Sequence, residues 1–208
     1  LDEGLLMIFS NIYNGKRVLV TGHTGFKGSW LTMWLLKLGA KVTGVSIDVP
    51  TQPAMFEELA LAGQIKHIQG DIRDLNILTD LVISEQPDFV FHLAAQAIVS
   101  TSYSNPVDTM TTNIMGTTNV LEALRKLERH CVAILITSDK CYDNLEWEWG
   151  YREIDNLGGK DVYSGSKGAA ELVIKSYLYS FFQDDHLVRL GVGRAGNVIG
   201  GGDWAKDR

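Results

Sequence analysis

The sequence predicts an α/β fold with a doubly wound parallel sheet, and three observations predict it. Short apolar runs suited to buried strands alternate with longer runs whose apolar residues recur every three or four positions, as in helices. A glycine-rich turn joins the first strand to the first helix, and an acidic residue closes the second strand. With 208 residues, 45% of them apolar, the chain is long enough to bury one such domain.

The first strand and the first helix flank the glycine turn. Residues 18–20 are apolar, glycines follow at positions 22, 25 and 28, and a helical pattern then runs to Gly39. Glycines at this spacing let the backbone approach a pyrophosphate, while the helix N-terminus directs its free N–H groups at the phosphates. The pattern predicts a dinucleotide site.

The second strand ends at Asp48, which lies 20 residues after Gly28. A carboxylate at this distance is suited to accept the adenine-side ribose hydroxyls, and it repels a 2′-phosphate. The pattern therefore favours NAD over NADP. The alternative is an aspartate that only ends a strand.

Two more strands follow. Residues 65–69 predict the third strand, and Asp74 is a suitable N-cap for the helix after it. Residues 88–93 predict the fourth strand, which contains a core histidine, His92, and leads into Ala94 and Ala95. Small residues past the end of a strand leave the crevice that a cofactor needs, although packing alone would also explain them.

Polar residues mark the next helix and the fifth strand. A helical pattern from Pro106 to Leu127 contains Asn113, although asparagine is a poor helix former. The fifth strand, residues 132–136, leads into Thr137-Ser138-Asp139-Lys140. Hydroxyl and titratable groups at a strand end that faces the glycine turn are the best candidates for chemistry.

The last helix carries Tyr163 and Lys167, four residues apart and therefore on one face. The lysine ammonium favours the phenolate, which lets Tyr163 act as a base. A sixth strand, residues 187–190, precedes a glycine-rich segment that ends near Trp204. We expect this segment to fold over a substrate, with Asn197 contacting a phosphate or sugar.

The composition argues against several classes of protein. The net charge of −6 disfavours a nucleic-acid or anionic membrane surface. No apolar run reaches the roughly 18 residues of a membrane span. Cys131 and Cys141 lack metal-ligand spacing, so we expect no metal site and reduced thiols in the cytoplasm.

The glycine spacing resembles that of the extended short-chain dehydrogenase/reductase family, and longer motifs resemble one of its groups, the CDP-glucose 4,6-dehydratases. These motifs are residues 22–30, 137–144, 149–153 and 194–204. The dTDP-glucose dehydratases usually carry Thr-Asp-Glu where this chain has Ser138-Asp139-Lys140. UDP-sugar 4-epimerases keep the serine and lack this acid/base pair.

The resemblance implies a lyase of nucleotide-sugar metabolism that serves deoxysugar and O-antigen biosynthesis. Such an enzyme uses NAD to convert CDP-glucose to CDP-4-keto-6-deoxyglucose and water. Tyr163 would remove the C4 hydroxyl proton, Ser138 would hold the C4 oxygen and Lys167 would orient Tyr163 and the nicotinamide ribose. Lys140 would take the C5 proton, and Asp139 would protonate the departing C6 hydroxyl.

The resemblance also implies binding residues and a homodimer. Asp71 would meet the adenine amine, and Asn113 would open its helix locally and help hold Lys167 through water. The dimer would form through helices around residues 110–127 and 169–180. The implied NAD-binding residues are Gly22, Thr24, Gly25, Phe26, Gly28, Asp48, Asp71, Ile72, Leu93, Ala94, Ala95, Asn113, Tyr163 and Lys167. The implied substrate-binding residues are Gln96, Ser138, Asn197 and Trp204.

We expect three segments: an N-terminal extension (1–16), an NAD-binding Rossmann domain with the catalytic residues (17–193), and the start of a substrate-binding region (194–208). In the family a smaller C-terminal domain follows, and most of it is absent from this sequence. An NAD-binding fragment without turnover and an NAD-dependent 4-epimerase remain alternatives. Residues 97–100 and Val162 depart from the family pattern, and the first departure removes a basic side chain beside the crevice.

Overall fold

The computed structural model describes residues 8–207, and it confirms the predicted α/β fold. The strands are β1 (Arg17–Thr21), β2 (Lys41–Ser46), β3 (Lys66–Gln69), β4 (Phe89–His92), β5 (Cys131–Ser138) and β6 (Val188–Ala195). They form one parallel sheet in the order β3-β2-β1-β4-β5-β6. The order reverses between β1 and β4, and the crevice at the carboxyl ends of such strands is where ligands bind in this class of fold.

Helices cover both faces of the sheet. They are α1 (Phe26–Lys37), α2 (Met55–Glu58), α3 (Leu75–Glu85), α4 (Val99–Ser104), α5 (Pro106–Met110), α6 (Gly116–Leu124) and α7 (Val162–Ser180). A π-helical segment, Thr111–Met115, joins α5 to α6, and 3₁₀ turns span Ile8–Asn11, Leu61–Gly63 and Asp139–Cys141. Among residues 8–207, no helix has the length and apolar character to cross a membrane.

Alternating side chains of the strands form two apolar layers. Val18 and Val20 of β1 pack with Leu35 of α1 on one face of the sheet. Leu19, between them in sequence, belongs to the larger layer on the other face. That layer includes Leu78 of α3 and residues of α6 and α7. The sheet therefore has an apolar core on each face.

The helical pattern predicted from Pro106 to Leu127 is interrupted. Asn113 lies in the π-helical segment between α5 and α6, so the expectation that it opens the helix locally is confirmed. A π-helical turn widens the backbone spacing and is frequent at functional sites.

Contacts at the two ends of the predicted domain cross its predicted boundaries. Strand β6 extends past the predicted boundary at residue 193, because its pairing with β5 continues through Ser138 and Ala195. Of the predicted extension, residues 1–7 lie outside the described residues. Tyr13 packs against Phe89 of β4, with ring centroids 4.9 Å apart, so this part of the extension contributes to the sheet domain.

Candidate active site

The glycine turn lies between β1 and α1, and close packing of backbone defines it. Gly22 has a φ of 75°, and a Cβ built on it would lie 2.7 Å from the Ala94 backbone nitrogen. A Cβ on Gly28 would lie 2.0 Å from the Gly22 carbonyl oxygen. A Cβ on Gly25 would meet only that same oxygen, at 3.4 Å. The turn is thus closed on the protein side and keeps space at Gly25, which fits a pyrophosphate lying across it.

Thr24 ties the turn to the end of β2. Its hydroxyl donates to the Asp48 carbonyl oxygen at 2.6 Å, and its backbone N–H donates to the Ser46 hydroxyl at 3.3 Å. The Asp48 residue is exposed. A carboxylate there is accessible to a ribose. Phe26, which is half-buried, is the first residue of α1.

His23 is a fully buried polar residue of the turn, for which no role is predicted from the sequence. Its Nδ1 lies 2.9 Å from the Ser46 hydroxyl, and its Nε2 lies 2.7 Å from His67 Nδ1. Burial lowers the pKa of His23 to about 4, so the ring is neutral at pH 7. Its ring fills the space beside Gly44, where a Cβ would lie 2.3 Å from it. In the sequence, the glycine at position 44 of β2 was the feature that could have indicated a bulky side chain packed against this strand.

The residues predicted at the adenine side are Asp71 and Ile72. The Asp71 carboxylate accepts hydrogen bonds from the Arg73 side chain and backbone, which holds the pKa of that carboxyl below its usual range. Arg73 also pairs with Asp108. Ile72 is buried, and its side chain packs against Gly116 at the start of α6. The Asn119 side chain donates to the carbonyl oxygen of Ile72 at 3.0 Å, which fixes this end of the crevice.

The end of β4 closes against the glycine turn. The backbone N–H groups of Leu93 and Ala94 donate to the carbonyl and hydroxyl oxygens of Thr21, at 3.1 and 3.2 Å. Ala95 is half-buried beside them. His92 is buried and hydrogen-bonded to Thr21 and Thr117, in keeping with the core histidine predicted.

Gln96 and Asn113 form a polar link from β4 to α7. Asn113 Oδ1 accepts from the Gln96 backbone N–H at 2.9 Å, and Asn113 Nδ2 donates to the Ser166 hydroxyl at 2.8 Å. The Gln96 side chain donates to Thr109 and accepts from the Ile98 N–H. This side chain is therefore engaged within the protein, and its predicted contact with substrate stays a prediction.

Helix α7 presents Tyr163 and Lys167, which are both buried. Asp161 caps the helix by accepting from the Ser164 backbone at 3.0 Å. The Lys167 ammonium lies 5.9 Å from the centroid of the Tyr163 ring. Burial and the neighbouring charge of Lys27 lower the pKa of Lys167 to about 8. The Lys167 ammonium is shielded from water and is therefore suited to stabilise a developing phenolate on Tyr163.

The turn that follows β5 carries the remaining predicted catalytic residues. Ser138 is buried, and its hydroxyl donates to Asp139 Oδ1 at 3.0 Å. Asp139 and Lys140 are exposed, and α7 packs against their 3₁₀ turn. The turn with Ser138, Asp139 and Lys140 thus packs against the helix that carries Tyr163 and Lys167, at the carboxyl end of the sheet where the glycine turn lies. This arrangement can perform proton transfer beside a bound redox cofactor.

The segment after β6 returns across the crevice to the glycine turn. The Trp30 indole donates to the Gly201 carbonyl oxygen at 2.9 Å, and the Ser100 hydroxyl donates to Asp207 at 2.7 Å. Asn197 and Trp204 are both exposed in this segment. The structure therefore includes the loop expected over the crevice, while substrate contact by these two residues stays a prediction.

Within residues 8–207, no group of three or more His, Cys, Asp and Glu side chains is arranged to hold a metal ion.

Comparison with known proteins gives one family match. The model of the GDP-mannose 4,6 dehydratase family matches residues 19–183. A CDP-glucose 4,6-dehydratase of Salmonella typhimurium is 52% identical over 97% of this chain, which spans 57% of that protein's length. The chain thus spans little more than half of this curated relative.

Two solved structures resemble the fold. A UDP-glucose 4-epimerase from Thermus thermophilus in complex with NAD has a TM-score of 0.72 and 26% identity, covering 86% of this chain and 54% of that one. MoeE5 in complex with UDP-glucose and NAD has a TM-score of 0.68 and 26% identity, covering 86% of this chain and 53% of that one.

Proposed function

The chain belongs to the GDP-mannose 4,6 dehydratase family, and on that premise we propose that it is the cofactor-binding and catalytic part of a CDP-glucose 4,6-dehydratase. One observation carries the proposal: the Ser138-Asp139-Lys140 turn packs against the helix of Tyr163 and Lys167, at the sheet edge that holds the glycine turn. The identity of 52% with the Salmonella dehydratase supports the CDP-glucose substrate.

NAD is the proposed cofactor, and when bound it would accept a hydride from C4 of the sugar and later return it to C6. Gly22, Gly25 and Gly28 would hold its pyrophosphate, and Asp48 would accept the ribose hydroxyls. The close backbone packing of the turn supports this assignment. The NAD complexes with similar folds support it independently.

The chain's own residues would move the protons. Tyr163 takes the C4 hydroxyl proton as the C4 hydride leaves, and Ser138 donates a hydrogen bond to the forming ketone. The ketone acidifies the C5 proton, so Lys140 removes it. The C6 hydroxyl then leaves as water, with a proton from Asp139. After the hydride reaches C6, a proton returns to C5 from Lys140. Tyr163 then holds one proton more and Asp139 one fewer than at the start, and proton exchange with water restores both. The sum is loss of one water with no net redox change.

A homodimer is part of the same proposal. Helices around residues 110–127 and 169–180 would form the interface. Exposed apolar side chains of Met115, Leu172 and Tyr179 on these helices support it. Sedimentation of the chain at rising concentration tests it, since a monomer at all concentrations would contradict the dimer.

A cytoplasmic location also belongs to the proposal. Cys131 and Cys141 are buried as free thiols, which suits a reducing compartment.

The decisive experiment is an assay with CDP-glucose and NAD. The 208-residue chain is compared with a version that carries any coding sequence continuing past residue 208. Formation of CDP-4-keto-6-deoxyglucose supports the dehydratase. A C4 isomer alone identifies an epimerase instead. NAD binding by both versions without any change in the sugar identifies a binding fragment, and it overturns the roles given to Asp139 and Lys140.

A further inference from the structure

A largely buried ion pair lies beside the turn that follows β5, the 3₁₀ turn Asp139–Cys141. Arg194 of β6 donates to Glu171 of α7 through two parallel bonds, Nε to Oε1 at 3.0 Å and Nη2 to Oε2 at 2.9 Å. The Arg194 side chain is 17% exposed and the Glu171 side chain is 6% exposed. Such a bidentate pair, shielded from water, has a defined geometry as well as a charge.

Each member of this pair also holds one end of the turn. The Thr137 hydroxyl, directly before Ser138, donates to Glu171 Oε1. The Arg194 guanidinium lies over the ring of Tyr142, directly after the turn, with its central carbon 4.8 Å from the ring centroid. The two contacts therefore fix the residues on either side of the turn.

The same pair reaches the loop that follows. Tyr142 stacks on Tyr151 with ring centroids 5.0 Å apart and an interplanar angle of 21°. Arg194 Nη1 donates to the Glu153 carbonyl oxygen at 3.1 Å. The loop after the turn is thus attached to the ion pair through both a ring stack and a backbone bond.

Two hydrogen bonds within the turn are long. The backbone bond from Tyr142 N–H to the Asp139 carbonyl oxygen is 3.3 Å long, and the Lys140 N–H reaches the Ser138 hydroxyl at 3.2 Å. Short 3₁₀ turns have poor hydrogen-bond geometry. The Ser138 hydroxyl also donates to Asp139 Oδ1 at 3.0 Å, and the Gly158 N–H donates to the Cys141 carbonyl oxygen at 2.9 Å. The orientation of exposed Asp139 and Lys140 therefore depends on these bonds together with what holds the two ends.

We infer that Glu171 and Arg194 are positioning residues that clamp both ends of the turn and thereby aim Asp139 and Lys140. This inference deepens the proposed function and rests on it. The pair acts on the turn, whereas Tyr163 and Lys167 lie on α7, as Glu171 does. Elimination at C5 and C6 uses both Asp139 and Lys140 of the turn, whereas oxidation at C4 uses only the Ser138 hydrogen bond from it. The clamp should consequently matter more for the elimination than for the oxidation.

Replacing Arg194 by lysine tests the clamp. Lysine keeps the charge but loses the two-pronged bond and the planar stacking on Tyr142. In a version with turnover, we expect Arg194→Lys to slow product formation about 100-fold, since small misplacement of catalytic groups has that effect. Oxidation at C4 should continue, so reduced nicotinamide and the 4-keto-glucose intermediate should accumulate. Equal loss of both steps would overturn the inference.

Arg129→Lys is the matched control. Arg129 forms a part-buried pair with Asp88 at 2.6 Å. Asp88 directly precedes β4, at the amino end of the sheet, whereas the turn follows β5 at the carboxyl end. We expect neither slower product formation nor accumulation of reduced nicotinamide in this variant. Accumulation in both variants would overturn the clamp, because any weakened ion pair would then have the same effect.

Amide hydrogen exchange tests the clamp without turnover, in the 208-residue chain. In Arg194→Lys and in Thr137→Val, the amides of Lys140 and Tyr142 should exchange about tenfold faster, while those of β2 stay unchanged. Unchanged exchange at the turn, or faster exchange throughout the sheet, would overturn the inference. If the parent protein makes no product, the proposed function fails while this measurement still decides whether the clamp exists.

Discussion

The two sides of the crevice are built differently. On the cofactor side, the glycine turn, buried His23 and the end of β4 are close-packed, with backbone atoms facing the site. On the catalytic side, Asp139 and Lys140 are exposed side chains on a short turn. On the cofactor side, residues are therefore restricted by size, because larger side chains would clash. On the catalytic side, residues are restricted by the chemical groups that they carry. Substitutions should consequently cost stability on the first side and turnover on the second.

The largest expected effect is on the catalytic side. Lys140→Met should reduce dehydration about 1,000-fold, because a positioned base of this kind contributes on that order. The free energy of unfolding should change by less than about 0.5 kcal/mol, because the side chain is exposed. Product formation and urea unfolding measure the two effects.

Lys160→Met is the control for this prediction, because Lys160 is an exposed lysine that lines the same cavity of about 1530 Å³. It should keep both turnover and stability. An active Lys140→Met protein would remove the difference between the two sides.

The next effect is on the cofactor side. Gly28→Ala should lower the free energy of unfolding by about 3 kcal/mol, because its Cβ would overlap the Gly22 carbonyl oxygen. Gly25→Ala is the matched comparison, since its Cβ meets that oxygen at an ordinary 3.4 Å. Gly25→Ala should leave the free energy of unfolding nearly unchanged. It should weaken NAD binding, because its Cβ would occupy the space proposed for the pyrophosphate. Calorimetry of NAD binding together with thermal unfolding separates the two outcomes, and equal stability of both variants would contradict the packing argument.

The smallest effect per residue is a dependence of stability on pH. Burial lowers the pKa of His23 to about 4 and that of His92 to about 3, whereas both titrate near 6.5 in the unfolded chain. Below pH 6.5 the unfolded chain takes up protons that the folded chain does not. The free energy of unfolding should therefore fall by about 2 kcal/mol per histidine between pH 7 and pH 5.

Urea unfolding at the two pH values checks this prediction. Carboxyl groups of lowered pKa, such as Asp71, act at lower pH and do not interfere. The loss should persist in a variant of the exposed His130, since that histidine is not part of the buried network. Equal stability at pH 7 and pH 5 would contradict the assignment of both buried rings as neutral.

The glycine turn could be predicted from the sequence, whereas the ion pair beside the catalytic residues could not, for a physical reason. Gly22, Gly25 and Gly28 lie close together in the chain, so their spacing alone encodes the turn. Arg194 and Glu171 are 23 residues apart, on β6 and α7, and only the folded domain brings them together. The ion pair left no local pattern in the sequence.

Strand β6 was predicted too short for a related reason. Gly191 and Gly193 have little intrinsic preference for strands, so the apolar pattern ended at residue 190. In the structure they face Ile134 and Ile136 of β5, whose side chains would lie within 3.1 Å of a Cβ at either glycine. Packing against β5 therefore determines the length of β6. This packing cannot be inferred from the residues of β6 alone.

The contact between His23 and Gly44 constrains how this sequence can diverge. The ring of one residue occupies the volume where the other would carry a side chain. A mutation that enlarges position 44 is harmful until position 23 becomes smaller, and a smaller residue at 23 leaves a void until position 44 grows. The two positions are therefore expected to change together among descendants of this chain, with each substitution deleterious alone and tolerated in the company of the other.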